Sequence, residues 1–524
     1  MSVNAIDPQL RAPPQLQHIS LPGITHLPQE VARTEDQIGN IDMQYPGAYA
    51  GLSPIVQIPI EITVSIFQEA IRGGENNSQI DFACTLSHVC HLWRSISLSL
   101  PTLWTSFEYK HRRSDLHRLS TYLQRSCNQL LDLRFEIGPT DNDHLWRDLL
   151  RKAVEHVSRW QRFALLFESR MKYPHNIFSI FKTLSAPNLE VIEVGMDPSS
   201  EGQFPLANSA PFCFKGGAPK LLQARFDSWS LKLSSPLTSI TTLQIAHPRD
   251  HRETLTFASF LDLLKSSRLV NLSLSGPAYH EPLQGTWPAV APELRNFRIA
   301  DCDAVAFNLW NYVKAPKLEL LIIIDANPNT LNQTLLPNTN SQQSDADQGP
   351  FPSLSTLAFV SCRIDSLSLS RIANLTKSVT SLYVNDCDCN GYFSEDSNPL
   401  TIMTNLSPGT ILWPQLRAVY CAMENFFQEF KDLEGILNAI TCRQDFLRTH
   451  CILNLLDSDA KAWEERDPDT WKELLAGGFF MTWVPVAGMD LVPWPPQFLQ
   501  KYSHRWDHIF MACYSGKPNK LLST

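Results

Sequence analysis

The chain has 524 residues, of which 43% are hydrophobic and 10% aromatic, and this composition predicts a folded protein of two or three domains. Its formal net charge of −9 argues against general nucleic-acid binding, which needs a basic surface. The same charge gives no reason to expect adhesion to anionic lipid.

Residues 1–50 are rich in proline and glutamine and have no sustained hydrophobic period, which predicts a disordered leader without a secretory signal. The most apolar stretch of the chain, Gly477–Pro496, contains Asp490 and several prolines and is therefore a poor membrane span. The twelve cysteines include no CxxC pair, so we expect reduced thiols and a cytoplasmic or nuclear protein.

Two stretches after the leader have helical spacing: IPIEITVSIFQEAI (Ile58–Ile71) and LSHVCHLWRSISLSLPTLW (Leu86–Trp104). In the first, isoleucines follow one another at steps of four, and Pro59 suits a first helical turn because it lacks an N–H. Together they offer more apolar surface than a small helix pair needs, so we expect part of it to contact a neighbour.

The pattern apolar-x-x-apolar-x-apolar then recurs eleven times. These segments begin at Leu130, Trp160, Leu189, Leu221, Ile240, Leu269, Leu294, Leu318, Leu354, Val379 and Leu416. From the fifth onward most starts are 24 to 29 residues apart, a spacing typical of leucine-rich repeats. The long step from Leu318 to Leu354 contains a polar insertion, Asn327–Pro350, which a stacked array can place in a loop.

We therefore predict an α/β fold in which residues 125–430 form an irregular leucine-rich-repeat-like solenoid with a parallel sheet along its inner side. The alternative is an ordinary α/β domain whose strands are preceded by prolines. Cys302, Cys362 and Cys387 each follow a last apolar position by three residues, where the repeat consensus has Asn or Cys. This position favours a structural role for them over metal binding by Asp386–Cys389.

After about residue 430 the repeat fades. Gln428–Ile440 and Ala462–Gly478 have helical patterns, and we predict that residues 431–524 form a helical cap on the array.

At residues 52–107 the sequence resembles an F-box. IPIEITVSIF is similar to its opening Leu-Pro-x-Glu-Ile followed by Ile-Phe, and VCHLWRSI with PTLW is similar to its second half, with the ending seen in F-box-like proteins of mushroom-forming fungi. Ile58 stands where leucine is commoner, a swap that keeps the apolar contact. The resemblance covers about a tenth of the chain, and an F-box followed by leucine-rich repeats is a familiar order in that family.

The resemblance implies a three-helix F-box that docks a Skp-type adaptor and, through it, a cullin and a RING protein. The protein would be a non-catalytic substrate receptor without a cofactor. Transferred position by position, the residues expected to face the adaptor are Ile58, Pro59, Glu61, Ile62, Ile66, Phe67, Val89, Cys90 and Trp93. Some of them must form the small core of the F-box itself, Trp93 first among them. The alternative is a helical cap on the repeat array.

The repeats would hold a protein substrate on the positions between the apolar residues of each strand. Arg295, Arg298, Tyr383 and Tyr420 are the candidates there, since Tyr and Arg are favoured as interface anchors. Ordinary solvated strand positions are the alternative.

The sequence has no Walker A loop, no GxGxxG, no GxSxG and no HExxH motif, and none of its His and Cys clusters has a metal-ligand spacing with enough ligands. His504 and His508 are four residues apart on a possible helix, but no third ligand is identifiable near them. A repeat scaffold unconnected with ubiquitin and an enzyme with an unrecognised site remain the alternatives to the substrate receptor.

Overall fold

The structure is a computed structural model, and the chain divides into two compact units: Met1–Ala70 with Cys84–Ser99, and Ile71–Ala83 with Leu100–Thr524. The residues that the structure describes are 58–73, 82–110, 115–138, 143–167, 178–181, 183–196, 214–227, 239–246, 257–265, 268–275, 289–300, 309–310, 312–324, 349–360, 362, 366–385, 412–422, 452–456, 460–461, 464–465, 468–476 and 480–483. The predicted leader, residues 1–50, lies outside them.

Three short helices occupy the stretches predicted to be helical: α1 (Ile60–Gly73), α2 (Phe82–Val89) and α3 (His91–Ser99). Pro59 precedes α1, and its carbonyl accepts the N–H groups of Ile62 and Thr63 at 3.1 and 3.0 Å. Pro59 therefore occupies the N-cap position of α1. The sequence placed it one residue later, in the first turn of the helix.

The second unit contains a 14-stranded parallel sheet in which each strand pairs with the preceding strand of that sheet. Its strands are β1 (Ser106–Lys110), β2 (Leu131–Ile137), β3 (Trp160–Phe167), β4 (Val191–Met196), β5 (Gln223–Asp227), β6 (Thr242–Ala246), β7 (Asn271–Ser275), β9 (Asn296–Ala300), β11 (Leu320–Ile324), β12 (Thr356–Val360), β13 (Ser381–Asn385), β14 (Ala418–Ala422), β15 (Ile452–Leu456) and β16 (Phe480–Trp483). The short strands β8 (Ala289–Val290) and β10 (Val313–Lys314) pair with each other.

Helices lie in several of the connections, as parallel pairing requires a crossover between strands. They are α4 (Asp115–Arg125), α5 (Asp143–Val154), α6 (Phe178–Phe181), α7 (Phe257–Leu264), α8 (Ser366–Leu375) and α9 (Pro468–Ala476). Single 3-10 turns occupy Pro101–Trp104 and Val157–Arg159. Within the described residues, no helix is both long and apolar enough to cross a membrane.

A proline turn recurs before the strands. In the turn Trp413–Leu416 the N–H of the fourth residue donates to the carbonyl of the first at 3.0 Å, and proline fills the second position, where its fixed φ suits a turn. The first and fourth side chains are buried. The same turn occurs at Ala186–Leu189, Ala315–Leu318 and Phe351–Leu354. In these four segments the leading leucine is thus the last residue of the turn, and from β4 to β14 each strand of the long sheet begins two residues after the leading residue of its segment.

One face of the sheet is apolar along its length, and we call it the core face. Its positions Leu243, Leu272, Phe297, Leu321 and Leu357 are at most 1% exposed. A single strand could not bury such a face, whereas stacked neighbours can. The predicted α/β fold with a large parallel sheet is confirmed.

Three strands of the 14-stranded sheet were not predicted. β1 precedes the expected start of the array at residue 125, and β15 and β16 continue the sheet within the range predicted to be a helical cap. Helix α9 lies inside the predicted helix Ala462–Gly478, whereas Gln428–Ile440 lies outside the described residues.

The thiol of Cys362 lies after β12, where it donates to the carbonyl oxygens of Ile323 and Val360 at 3.2 and 3.3 Å. It therefore links the ends of two adjacent strands, which agrees with the structural role predicted for this position. Cys302 and Cys387 lie outside the described residues, as does the Asp386–Cys389 cluster.

Candidate functional site

Helix α1 has an apolar stripe that is exposed. Pro59, Ile62 and Ile66 recur at helical spacing, and the two isoleucines are 52% and 50% exposed. Large aliphatic side chains in a soluble protein are normally covered, so a row of exposed ones indicates an interaction surface. We call Pro59, Ile62 and Ile66 the α1 stripe.

The neighbouring face of α1 is the core of the helical unit. Thr63 and Phe67 are buried at 4% and 1% exposure, and the Phe67 ring meets Trp93 edge to face with centroids 4.9 Å apart. Phe67 was predicted to face a partner, but the structure places it inside the unit, because its ring fills the space between α1 and α3. The Phe67 side chain is not accessible to a partner while the helices are packed.

Of the residues predicted from the second half of the motif, Val89 is exposed, at 55%. Cys90 is half-buried between α2 and α3, and its sulfur accepts the N–H of Trp93 at 3.4 Å, while its carbonyl accepts the N–H of Arg94. Cys90 therefore caps α3. Trp93 packs against Phe67, in agreement with the core position expected for it.

The nine predicted adaptor-facing residues thus divide into three groups. Pro59, Glu61, Ile62, Ile66 and Val89 are exposed; Ile58, Cys90 and Trp93 are half-buried; and Phe67 is buried. Sequence reasoning missed two exposed residues of this unit, Ile60 at 43% and Leu98 at 41%. Ile60 could have been found from its place at the first residue of α1, where no preceding helical turn covers a side chain.

The second candidate surface is a row of residues that crosses the whole sheet at one register. Its members, which we call the central row, are Glu108, Arg134, Ala164, Glu193, Arg225, Gln244, Ser273, Arg298, Ile322, Ala358, Tyr383, Tyr420, Asn454 and Met481. The nine positions from Glu193 to Tyr420 are those that the sequence assigned to the inner side of the repeats. Their alignment in the sheet confirms the predicted register.

The first half of the central row contains charged residues. Arg134 lies 2.8 Å from Glu136 and 3.4 Å from Glu108, and Arg225 Nη1 lies 3.2 Å from Glu193 Oε1. Burial lowers the pKa of Arg134, but the charges of Glu193, Glu136 and Glu108 outweigh it and raise that pKa above its ordinary value. The arginine is therefore held in its charged form.

Beyond these pairs, neutral polar groups connect adjacent strands. Asn271 Nδ2 donates to Thr242 Oγ1 at 2.9 Å, Asn296 Nδ2 donates to Asn271 Oδ1 at 2.6 Å, and Arg298 Nε donates to Ser273 Oγ at 2.8 Å. Arg298, predicted as an open substrate anchor, is only 8% exposed. The prediction of an open position was wrong because the side chain lies along the sheet and bonds to the next strand.

Arg295 has a different environment from Arg298. It is exposed and pairs with Glu319 at 3.0 Å, and both side chains of that pair are 52% exposed. Arg295 lies just before β9, whereas Arg298 lies within it, so the two do not form the adjacent pair that the sequence suggested.

From β11 to β14 the central row is apolar and aromatic. Ile322 and Ala358 are 3% and 0% exposed and form a cluster with Leu320 and Val360, against which Tyr383 packs. The Tyr383 and Tyr420 rings are stacked with centroids 4.2 Å apart and an interplanar angle of 6°. Burial, together with the adjacent Tyr420 hydroxyl and its hydrogen bond, raises the pKa of Tyr383 to about 12. Both tyrosines are half-buried.

Over the part of the chain that the structure describes, no three His, Cys, Asp or Glu side chains come together in a way that could hold a metal ion. Cys84, Cys90, Cys127 and Cys362 are free thiols. His504 and His508 lie outside the described residues.

Comparison of the sequence with models of protein families and with curated proteins finds no match for this chain. Its long parallel sheet with interspersed helices is that of a repeat-like α/β protein.

Proposed function

We propose that this protein is a non-catalytic substrate receptor of a cullin–RING ubiquitin ligase, with an F-box-like helical unit and leucine-rich-repeat-like strands. The α1 stripe with Val89 would bind a Skp-type adaptor, and the central row would bind a protein substrate. Such a receptor does no chemistry; it raises the concentration of substrate beside the ubiquitin-charged enzyme. The cytoplasm or nucleus is the corresponding location.

The observation that supports this proposal most is the exposure of the α1 stripe. Ile62 and Ile66 are half exposed although Phe67, on the neighbouring face of the same helix, is buried. The helical unit therefore has its own core and leaves a second apolar surface open. Covering two isoleucines and a valine with a partner would contribute about 1 to 2 kcal/mol for each side chain.

The direct test is a binding measurement between the full chain and a purified Skp-type adaptor. Ile62→Ser combined with Ile66→Ser should weaken binding by about a hundredfold, because each serine removes an aliphatic contact worth roughly a factor of ten. Leu475→Ser is the matched control, because Leu475 is 51% exposed on α9 and lies outside the proposed surface. Circular dichroism of each variant should be that of the unaltered chain.

Phe67→Ala is not an informative variant for this purpose. Removing a side chain that is 1% exposed should cost the helical unit about 3 to 5 kcal/mol, so lost binding would report unfolding. The proposal fails if the unaltered chain does not bind the adaptor, or if the double serine variant binds as tightly as Leu475→Ser. In the first case a repeat scaffold outside the ubiquitin system becomes the better reading.

A further inference from the structure

Polar atoms on the central-row face of three adjacent strands, β4, β5 and β6, have no hydrogen-bond partner in the described structure. They are Gln223 Oε1, Gln244 Nε2 and Glu193 Oε1, and each is fully buried. The whole Gln244 side chain is only 4% exposed. Glu193 Oε1 lies 3.2 Å from Arg225 Nη1, but the contact is not aligned as a hydrogen bond, so this oxygen keeps acceptor capacity.

Buried polar groups of native proteins are paired in the great majority of cases, because an unpaired one loses its hydration without compensation. The groups here are two acceptors and one donor. A primary carboxamide has two N–H bonds and one carbonyl oxygen, and is therefore complementary to this set. Gln223 and Gln244 are on neighbouring paired strands, two register steps apart, which brings long side chains within reach of one ligand group.

Charge favours a neutral ligand. The carboxylate of Glu193 already faces the guanidinium of Arg225, and the side chains of this pair are 13% and 7% exposed. An added charge would be buried beside a pair that is already balanced, which is costly. A carboxamide brings hydrogen-bonding capacity without charge.

We propose that the central-row face over β4, β5 and β6 binds a neutral primary carboxamide, the side chain of an asparagine in a protein ligand. Gln244 would donate to its carbonyl oxygen, and Gln223 and Glu193 would accept its two N–H groups. These atoms are buried in the structure, so access requires a rotamer change of a long side chain that covers them. The inference deepens the substrate half of the proposed function and rests on it for the ligand being a protein.

The test uses the full chain and an array of nonamer peptides, acetylated at one end and N-methylamidated at the other, so that the ends contain no primary amide. Each peptide with one Asn is matched by two that have Leu or Asp in its place. We expect some Asn peptides to bind at least about tenfold more tightly than their Leu and Asp counterparts. Those counterparts leave the buried polar groups of the site unpaired.

Gln244→Met and Gln223→Met should each abolish this preference, so that the three matched peptides bind within about twofold of one another. Gln161→Met is the control, because the Gln161 amide already donates to Glu190 Oε2 at 3.1 Å, and it should keep the preference. Both test variants remove an unpaired group and should retain the thermal midpoint of the unaltered chain. If one fails to fold, the other decides.

The proposal is overturned if no Asn peptide is preferred, or if the preference persists in both methionine variants; buried water would then satisfy these amides. The array contains no adaptor, and the adaptor measurement contains no peptide. Failure of the carboxamide site and failure of the adaptor surface are therefore distinguishable.

Discussion

The two halves of the central row have the same backbone geometry and different chemistry. From β1 to β9 the row contains paired charges and amides, as in Glu193 and Arg225, whereas from β11 to β14 it contains aliphatic and aromatic side chains, as in Ile322 and Tyr383. Both halves are continuous in register with an unbroken apolar core face behind them. This difference indicates that packing of the core face positions the strands, so that the residue types of the central row can vary.

The two halves also differ in how burial is compensated. In the polar half, each buried group needs a partner of defined geometry, such as Ser273 for Arg298. In the apolar half, contact alone is sufficient, because dispersion has no directional requirement. Single substitutions should therefore have their largest effect where a charge loses its partner.

The largest effect is expected for Arg225→Met. The variant leaves Glu193 beside a neutral side chain in a site where the pair is 7% and 13% exposed, and should cost about 3 to 5 kcal/mol, measured by urea unfolding. Adding Glu193→Gln should recover most of that loss. Arg295→Met breaks an ion pair with both side chains 52% exposed and should cost less than about 1 kcal/mol. Equal losses of unfolding free energy in Arg225→Met and Arg295→Met would show that burial of the ion pair does not determine its contribution to stability.

The next largest loss of stability is expected in the apolar half of the row. Ile322→Ala removes three carbons from the cluster with Leu320, Ala358 and Val360, and should cost about 3 kcal/mol in the same urea measurement. Val290→Ala, at a position 49% exposed, should change stability by less than about 0.5 kcal/mol. A small cost at Ile322 would show that this half is loosely packed.

The side-chain hydrogen bonds that join Thr242, Asn271 and Asn296, which we call the amide ladder, should contribute less to stability. Asn271→Ala leaves Asn296 Nδ2 without its acceptor and removes the donor to Thr242, so we expect a loss of about 1 to 2 kcal/mol. Asn188→Ala removes exposed hydrogen bonds with Lys220 and with the Ser158 carbonyl, and should cost about 0.5 kcal/mol or less. An equal loss of stability in Asn188→Ala and Asn271→Ala would show that burial does not determine the contribution of these hydrogen bonds.

The smallest effect concerns pH. The pKa of Tyr383 is raised to about 12 from the ordinary 10, so its contribution to stability is fully present below pH 10 and is lost as pH rises through 12. Unfolding midpoints should therefore fall more steeply between pH 10 and 12 in the unaltered chain than in Tyr383→Phe. Solvent screening at this half-buried position keeps the difference small. Identical slopes would contradict the raised pKa.

Much of the sheet could be predicted from the sequence. All eleven proposed segments contain a strand of the sheet, because residues such as Leu272 and Leu274 mark the core face at a spacing of two. β1 was missed although the proline turn Leu100–Leu103 precedes it, because it begins inside the range assigned to the F-box. β15 and β16 were missed because they lie in the range assigned to a helical cap. The α1 stripe was predicted in part: Ile62 and Ile66 are exposed as expected, but Phe67 is not.

The positions predicted least well are those decided by distant neighbours. Arg298 resembles any solvated strand residue in the sequence, and its burial depends on Ser273, 25 residues earlier. Phe67 and Ile66 are adjacent apolar residues on one helix, and only the position of Trp93 determines which of them is buried.

The amino-acid sequence by itself determined the helices that follow the leader, the repeating strand pattern and the residues of the central row. These features follow from the local spacing of apolar residues along the chain. Only the tertiary structure decided which helix face is core, which charges are paired and which amides lack a partner. Those outcomes depend on contacts between residues far apart in the chain, and local sequence patterns contain no information about such contacts.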